Sequence, residues 1–129
     1  MSIPSFGAKH WPTEIHLNRA ERTLVVAFDD GRIFTLPAEL LRVQSPSAEV
    51  QGHSPEERRI VSGKRHVGIT GVEAVGNYAI AISFDDQHDT GIYSWDYLYD
   101  LGADQDQVWA EYLVTLDAHG LSRDPGPVQ

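Results

Sequence analysis

The chain has 129 residues, a formal net charge of −9 and no cysteine, which is room for one domain of ordinary size. The missing cysteines exclude disulfides, thiolate metal sites, iron–sulfur ligation and thiol nucleophiles together. The acidic balance, with a pI near 4.9, argues against nucleic acid and anionic membrane surfaces as partners, because both attract basic faces.

Residues 1–12 are expected to form an N-terminal extension. They show no cationic flank leading into an apolar stretch, and no run in the chain approaches the ~20 apolar residues that span a bilayer. A cytoplasmic location is the expectation. Ile15 and Leu17 alternate with polar neighbours over Thr13–Asn18, and Leu24, Val26 and Phe28 do so over Thr23–Phe28, the period of half-buried strands. Asp29-Asp30-Gly31 supplies turn chemistry, since glycine takes positive φ without strain, and Arg32–Leu36 returns as a third strand. Pro37–Leu41 suits a short helical turn with proline at its first position.

From Gln44 to Glu57 the pattern dissolves into Ser, Pro, Gly, His and Glu, a long loop of the kind that tends to be functional or disordered. Val67–Val75 and Tyr78–Phe84 read as a second hairpin around Gly76-Asn77. A polar loop, Asp85–Asp89, follows it. Gly91–Tyr93 is a short strand, and Ser94 caps a brief helix running to Leu101. The last helix has Asp104 as N-cap with Gln107 three residues on. Its apolar rows are Val108, Tyr112 and Leu116, with Trp109 and Leu113 beside them, and Gly120 marks its end. Residues 122–129 read as a frayed, flexible tail, so one domain is expected over 13–121. The pattern predicts an α+β fold: a two-layer sandwich of mainly antiparallel sheet with a C-terminal amphipathic helix.

Candidate chemistry is thin. His88 is followed directly by Asp89, without the spacing of a two-histidine, one-carboxylate iron site. Ser62-Gly63-Lys64-Arg65 fails the phosphate-loop pattern twice, with Arg58 and Arg65 at diagnostic positions. No nucleophile elbow is present, and no spacing singles out a Ser–His pair. Tyr93, Trp95, Tyr97 and Tyr99 read as core and edge packing. Charge is uneven. Seven aspartates from Asp85 to Asp106 have no Lys or Arg among them, whereas Arg58, Arg59, Lys64 and Arg65 form a basic stretch.

Three stretches are diagnostic together: Leu36 to His53 (LPAELLRVQSPSAEVQGH), Val75 to Ala79 (VGNYA) and Phe84 to Leu98 (FDDQHDTGIYSWDYL). On these, the chain from Thr13 to Leu101 resembles the γ-butyrobetaine hydroxylase-like N-terminal domain family, small bacterial proteins formerly grouped as a domain of unknown function. The resemblance implies a structural zinc held by a C-x-C-x-x-C run just after a Leu-Arg pair and by one histidine after the second hairpin. Leu41-Arg42 stands in place here. The three cysteine positions, however, read Ser45, Ser47 and Val50, and only His88 is kept. A closed tetrahedral zinc site cannot form from those groups, so no metal and no cofactor is expected.

The oxygenase activity of the hydroxylases belongs to a separate iron- and 2-oxoglutarate-binding domain, so the resemblance implies ancestry without the reaction, and no enzyme is expected. The expected role is a non-catalytic binding or adaptor domain for a protein partner, with self-association left open. Its recognition surface is expected at Ser45, Ser47, His53, Lys64, Arg65, Asp86 and His88, as one shallow polar face. Two alternatives stand beside it. The same small domain resembles one appended to Mrp-type ATPases that handle iron–sulfur clusters, which implies an accessory factor in cluster assembly; the other alternative is a metal-dependent oxygenase component.

Overall fold

The computed structural model describes residues 9–52 and 58–125. The strands divide into two antiparallel three-stranded sheets, one per half of the chain. In the first, β1 (Pro12–Asn18), β2 (Thr23–Phe28) and β3 (Ile33–Pro37) run in sequence order. Leu24 lies opposite Leu17 and Leu36, and Val26 opposite Ile15 and Phe34, so each alternating apolar set falls on one face. In the second, β4 (Ile69–Val75), β5 (Ala79–Phe84) and β6 (Gly91–Ser94) are likewise in sequence order, with Ile80 paired to Ala74 and Tyr93 and Ile82 to Val72 and Gly91.

The two apolar faces share one core. Leu24, Val26, Phe28, Phe34 and Leu36 of the first sheet cluster with Ile69, Ile80, Ile82, Phe84 and Tyr93 of the second. Helix α1 (Ala38–Val43) adds Leu40 and Leu41 to this core, and α3 (Trp95–Ala103) adds Leu98 and Leu101. Each such side chain contributes roughly 1.5–3 kcal/mol by leaving water. The aromatic run belongs here as expected: Tyr93 and Trp95 are buried, while Tyr97 and Tyr99 pack against the cluster. Ser94 caps α3, its hydroxyl accepting from the Tyr97 N–H at 3.2 Å.

Several local expectations differ from the structure. The long loop contains a one-turn helix, α2 (Ala48–Gln51), whose N-cap Ser47 accepts from the Glu49 N–H. Pro37 is the N-cap of α1 rather than its first helical residue. Asp104 precedes α4 (Gln105–Ala118) but makes no side-chain capping bond. At the other end, Gly120 at φ +66° lets Leu121 N–H reach the Leu116 carbonyl and Gly120 N–H the Asp117 carbonyl, the paired bonds of a Schellman turn. The segment after it is not frayed at its start. Ser122 and Arg123 carbonyls accept from Gly63 and Arg65 N–H, and Arg123 forms a two-pronged pair with buried Glu39 at 2.7 and 2.8 Å.

α4 docks through a smaller core of Val43, Tyr112 and Leu116, with Ile60, Val61 and Trp109 beside them. Leu113, expected in the second apolar row, is 41 % exposed, whereas Leu116 is 3 % exposed. Leu116→Ala should therefore lower the stability read by urea denaturation by about 2–5 kcal/mol. Leu113→Ala should cost under about 1 kcal/mol, and equal costs would show that the helix is seated on another face.

Candidate functional site

The candidate residues lie on two segments that the fold brings together: the stretch after α1, with α2, and the turn leaving β5. Ser45 Oγ lies 2.9 Å from His88 Nε2. The other ring nitrogen, His88 Nδ1, is 3.3 Å from Glu49 Oε1. A carboxylate only accepts, so Nδ1 carries the proton, and Nε2 accepts from the Ser45 hydroxyl. Ser45 Oγ in turn accepts from the Ser47 N–H at 3.2 Å. Ser47 Oγ is 2.7 Å from Thr90 Oγ1, and the Gln51 side chain donates to the Ser45 carbonyl at 2.8 Å.

Close approach is built into the sequence. A Cβ on Gly91 would meet Ser45 Oγ at 2.7 Å and the Tyr93 ring at 2.9 Å, so no larger residue fits beneath the serine. Tyr93 donates its hydroxyl proton to the Leu41 carbonyl at 2.5 Å, and Tyr97 does the same to the Gln44 carbonyl. The backbone entering the loop is thus held from below.

A charged cluster flanks this chain of bonds. Asp86 Oδ2 takes Arg42 Nε at 2.8 Å and Lys64 Nζ at 2.7 Å, and Oδ1 takes the His88 N–H at 3.2 Å. Burial pushes the Asp86 carboxyl up, but the bonds from Lys64, Arg42 and the His88 N–H outweigh it and hold it down at about 2. His88 is shifted the same way for another reason. Burial disfavours its charged form and Arg42 adds repulsion, against weaker pulls from Glu49 and Asp86.

Of the residues expected to form one shallow polar face, Ser45, Ser47, Asp86 and His88 do converge, with Lys64 on Asp86. They are not a face. Ser45 is 0 % exposed, Ser47 6 % and His88 5 %, and what reaches water is their rim, including Glu49 with 63 % of its side chain exposed. Arg65 points instead to Asp124, and His53 lies outside the described residues. Arg42, Glu49, Thr90 and Gly91 are members of the site that sequence reasoning did not single out. The only signals for them were the Leu41-Arg42 pair and adjacency to Ser47 and His88.

The positions at which the resemblance implied metal ligands do not suit a metal. The Ser45 hydroxyl is committed to His88, the Ser47 hydroxyl to Thr90 and the α2 cap, and Val50, buried at 3 %, offers no donor atom. Among the described residues no group of three or more His, Cys, Asp or Glu side chains could hold a metal ion.

The Ser45–His88–Glu49 order is that of an acyl-transfer triad, nucleophile to base to orienting carboxylate. Its setting is not. Ser45 is fully enclosed, and neither of two surface grooves is lined by any of the three. The larger groove, of about 370 Å³, runs between α4 and Arg58–Val61, and the other lies beside Trp109 and Arg123.

Fold and site together define a small α+β domain in which a loop is clamped to a β-turn by buried hydrogen bonds. The chain belongs to the gamma-butyrobetaine hydroxylase-like N-terminal family, whose model matches residues 15–99. It is similar to a protein solved in solution by NMR, 48 % identical with a TM-score of 0.80, over 94 % of this chain and 95 % of that one. A second NMR structure is 45 % identical with a TM-score of 0.79, over 100 % of this chain and 95 % of the other. A crystal structure of a DUF971-family protein of unknown function from Acidithiobacillus ferrooxidans is 39 % identical with a TM-score of 0.61, over 71 % and 92 %. No curated protein matches the chain.

The downward shift of His88 has a stability consequence with a definite sign. The folded chain holds the ring neutral, while the unfolded chain takes up a proton below its ordinary value of about 6.5. The contribution of His88 is therefore present above about pH 6.5 and is lost as pH falls below it. Urea midpoints measured from pH 7.5 to 5 should fall, and His88→Gln should flatten that slope. An unchanged slope in the variant would assign the dependence to other groups.

Proposed function

We propose that the chain is a non-catalytic binding or adaptor domain for a protein partner. The observation that carries this is the enclosure of Ser45. Its hydroxyl is aligned with a base and a carboxylate, and it sits at 0 % exposure with its proton given to His88 and an acceptor site taken by the Ser47 N–H. A substrate carbonyl cannot come within the ~3 Å that attack requires. Ser45, Ser47 and His88 act as supports, and the polar rim around them is the recognition surface: Glu49, Lys64 and the exposed Gln87 and Asp89 beside Asp86, extended by Arg65, which follows Lys64 in the chain and is held by Asp124. Loops fixed on a rigid scaffold carry recognition more often than core positions do.

Two readouts on the full chain test this. A fluorophosphonate probe should leave Ser45 unlabelled, and stoichiometric labelling there would identify a hydrolase. Affinity capture from the native cell should lose its partner with Arg65→Glu/Asp89→Lys while the melting temperature stays within about 4 °C, as surface changes usually allow. Capture that persists with this variant removes the rim from the account.

A further inference from the structure

An adaptor needs a second face, and α4 offers one that the rim does not use. This helix carries more apolar surface than the domain buries. Tyr112 and Leu116 face the core, yet Leu113 is 41 % exposed, Val114 68 % and Leu121, just past the Schellman turn, 39 %. Ala110 and Ala118 are exposed as well. Positions 110, 113, 114 and 118 follow helical spacing and form one stripe along the outer side. A lone exposed leucine is ordinary. A stripe with this spacing is what a partner helix packs against.

The charge around the stripe decides which partner. Asp106 and Asp117, four residues from Ala110 and Leu113, fall on the same face, Glu111 borders it, and Asp100 and Asp104 lie at the adjoining end of α3. From Asp85 to Ser122 the sequence contains no Lys or Arg. Among the described residues, none of these five carboxylates is in an ion pair. The last turn of α4 also lacks a basic residue, so no cation on the helix itself offsets these carboxylates.

We propose that the outer stripe of α4 docks an amphipathic helix from a partner protein, one with an apolar seam flanked by lysines and arginines. A second copy of the chain packed helix to helix would set the carboxylates of Asp106, Glu111 and Asp117 against those of its mate with no Lys or Arg on either helix. An anionic membrane is repelled by the same carboxylates. This inference rests on the adaptor reading but uses none of the rim residues, so the two can fail separately.

The test titrates the ¹⁵N-labelled full chain with three synthetic helical peptides of equal length, built from Leu and Lys, from Ser and Lys, and from Leu and Glu. The Leu–Lys peptide should shift amide signals of residues 110–121, with affinity falling as salt rises. Val114→Lys, at a position exposed enough to leave folding intact, should weaken it at least about tenfold. Equal binding of the Ser–Lys peptide would reduce the effect to charge and overturn the proposal. So would shifts outside α4, or concentration-dependent dimerisation of the chain alone that Val114→Lys abolishes. If the Leu–Lys peptide fails while rim-dependent capture persists, only the α4 surface is rejected; loss of both rejects the adaptor.

Discussion

The bond between Ser45 and His88 joins two stretches of chain that are 43 residues apart, and the arrangement of the second half of the domain hangs on it. One partner follows α1, which belongs to the first sheet's side of the core, and the other leaves β5 in the second sheet. A buried hydroxyl and imidazole are costly unless every donor and acceptor is used. Here the requirement is met in series, from the Ser47 N–H through Ser45 and His88 to Glu49. Removing any one member strands its neighbours, and this makes a short row of modest bonds into a specific joint.

The joint is spread over many weak contacts. A single hydrogen bond contributes about 1 kcal/mol net, so one serine–histidine pair alone is a thin tie. The supports around it are correspondingly numerous. Tyr93 and Tyr97 hold the backbone at Leu41 and Gln44, Gln51 returns to the Ser45 carbonyl, and Asp86 gathers Arg42, Lys64 and the His88 N–H. One cost is visible: Arg42 Nη1 is buried with no hydrogen-bond partner among the described residues. The second sheet, the loop and the segment that delivers Lys64 are thereby fixed relative to one another, leaving a rim of defined shape.

Much of the fold was legible because periodicity encodes it. The alternation in Thr23–Phe28 and the turn residues at Asp29–Gly31 and Gly76-Asn77 placed both hairpins, and Ser94 marked the start of α3. α2 was not legible, because a single turn between Pro46 and Gly52 has too few residues to show a period. The rows of α4 were ambiguous for a related reason: when a helix is apolar on two sides, spacing alone does not say that Leu116 goes in and Leu113 out. At the site, sequence reasoning gathered Ser45, Ser47, Asp86 and His88, but read them as exposed. Serine and histidine in a polar stretch usually are. Their enclosure depends on Gly91, Tyr93 and Thr90, contacts that exist only once the second sheet has folded against the loop.

The central claim is that Ser45 and His88 act as one structural unit. A double-mutant cycle with Ser45→Ala, His88→Ala and the pair, read by urea denaturation at pH 7.5, measures it directly. The account predicts a coupling of at least about 1 kcal/mol, the double variant being less destabilised than the sum of the singles. Additivity within about 0.3–0.5 kcal/mol would contradict it, because the two residues would then contribute independently and the loop would be held by something else.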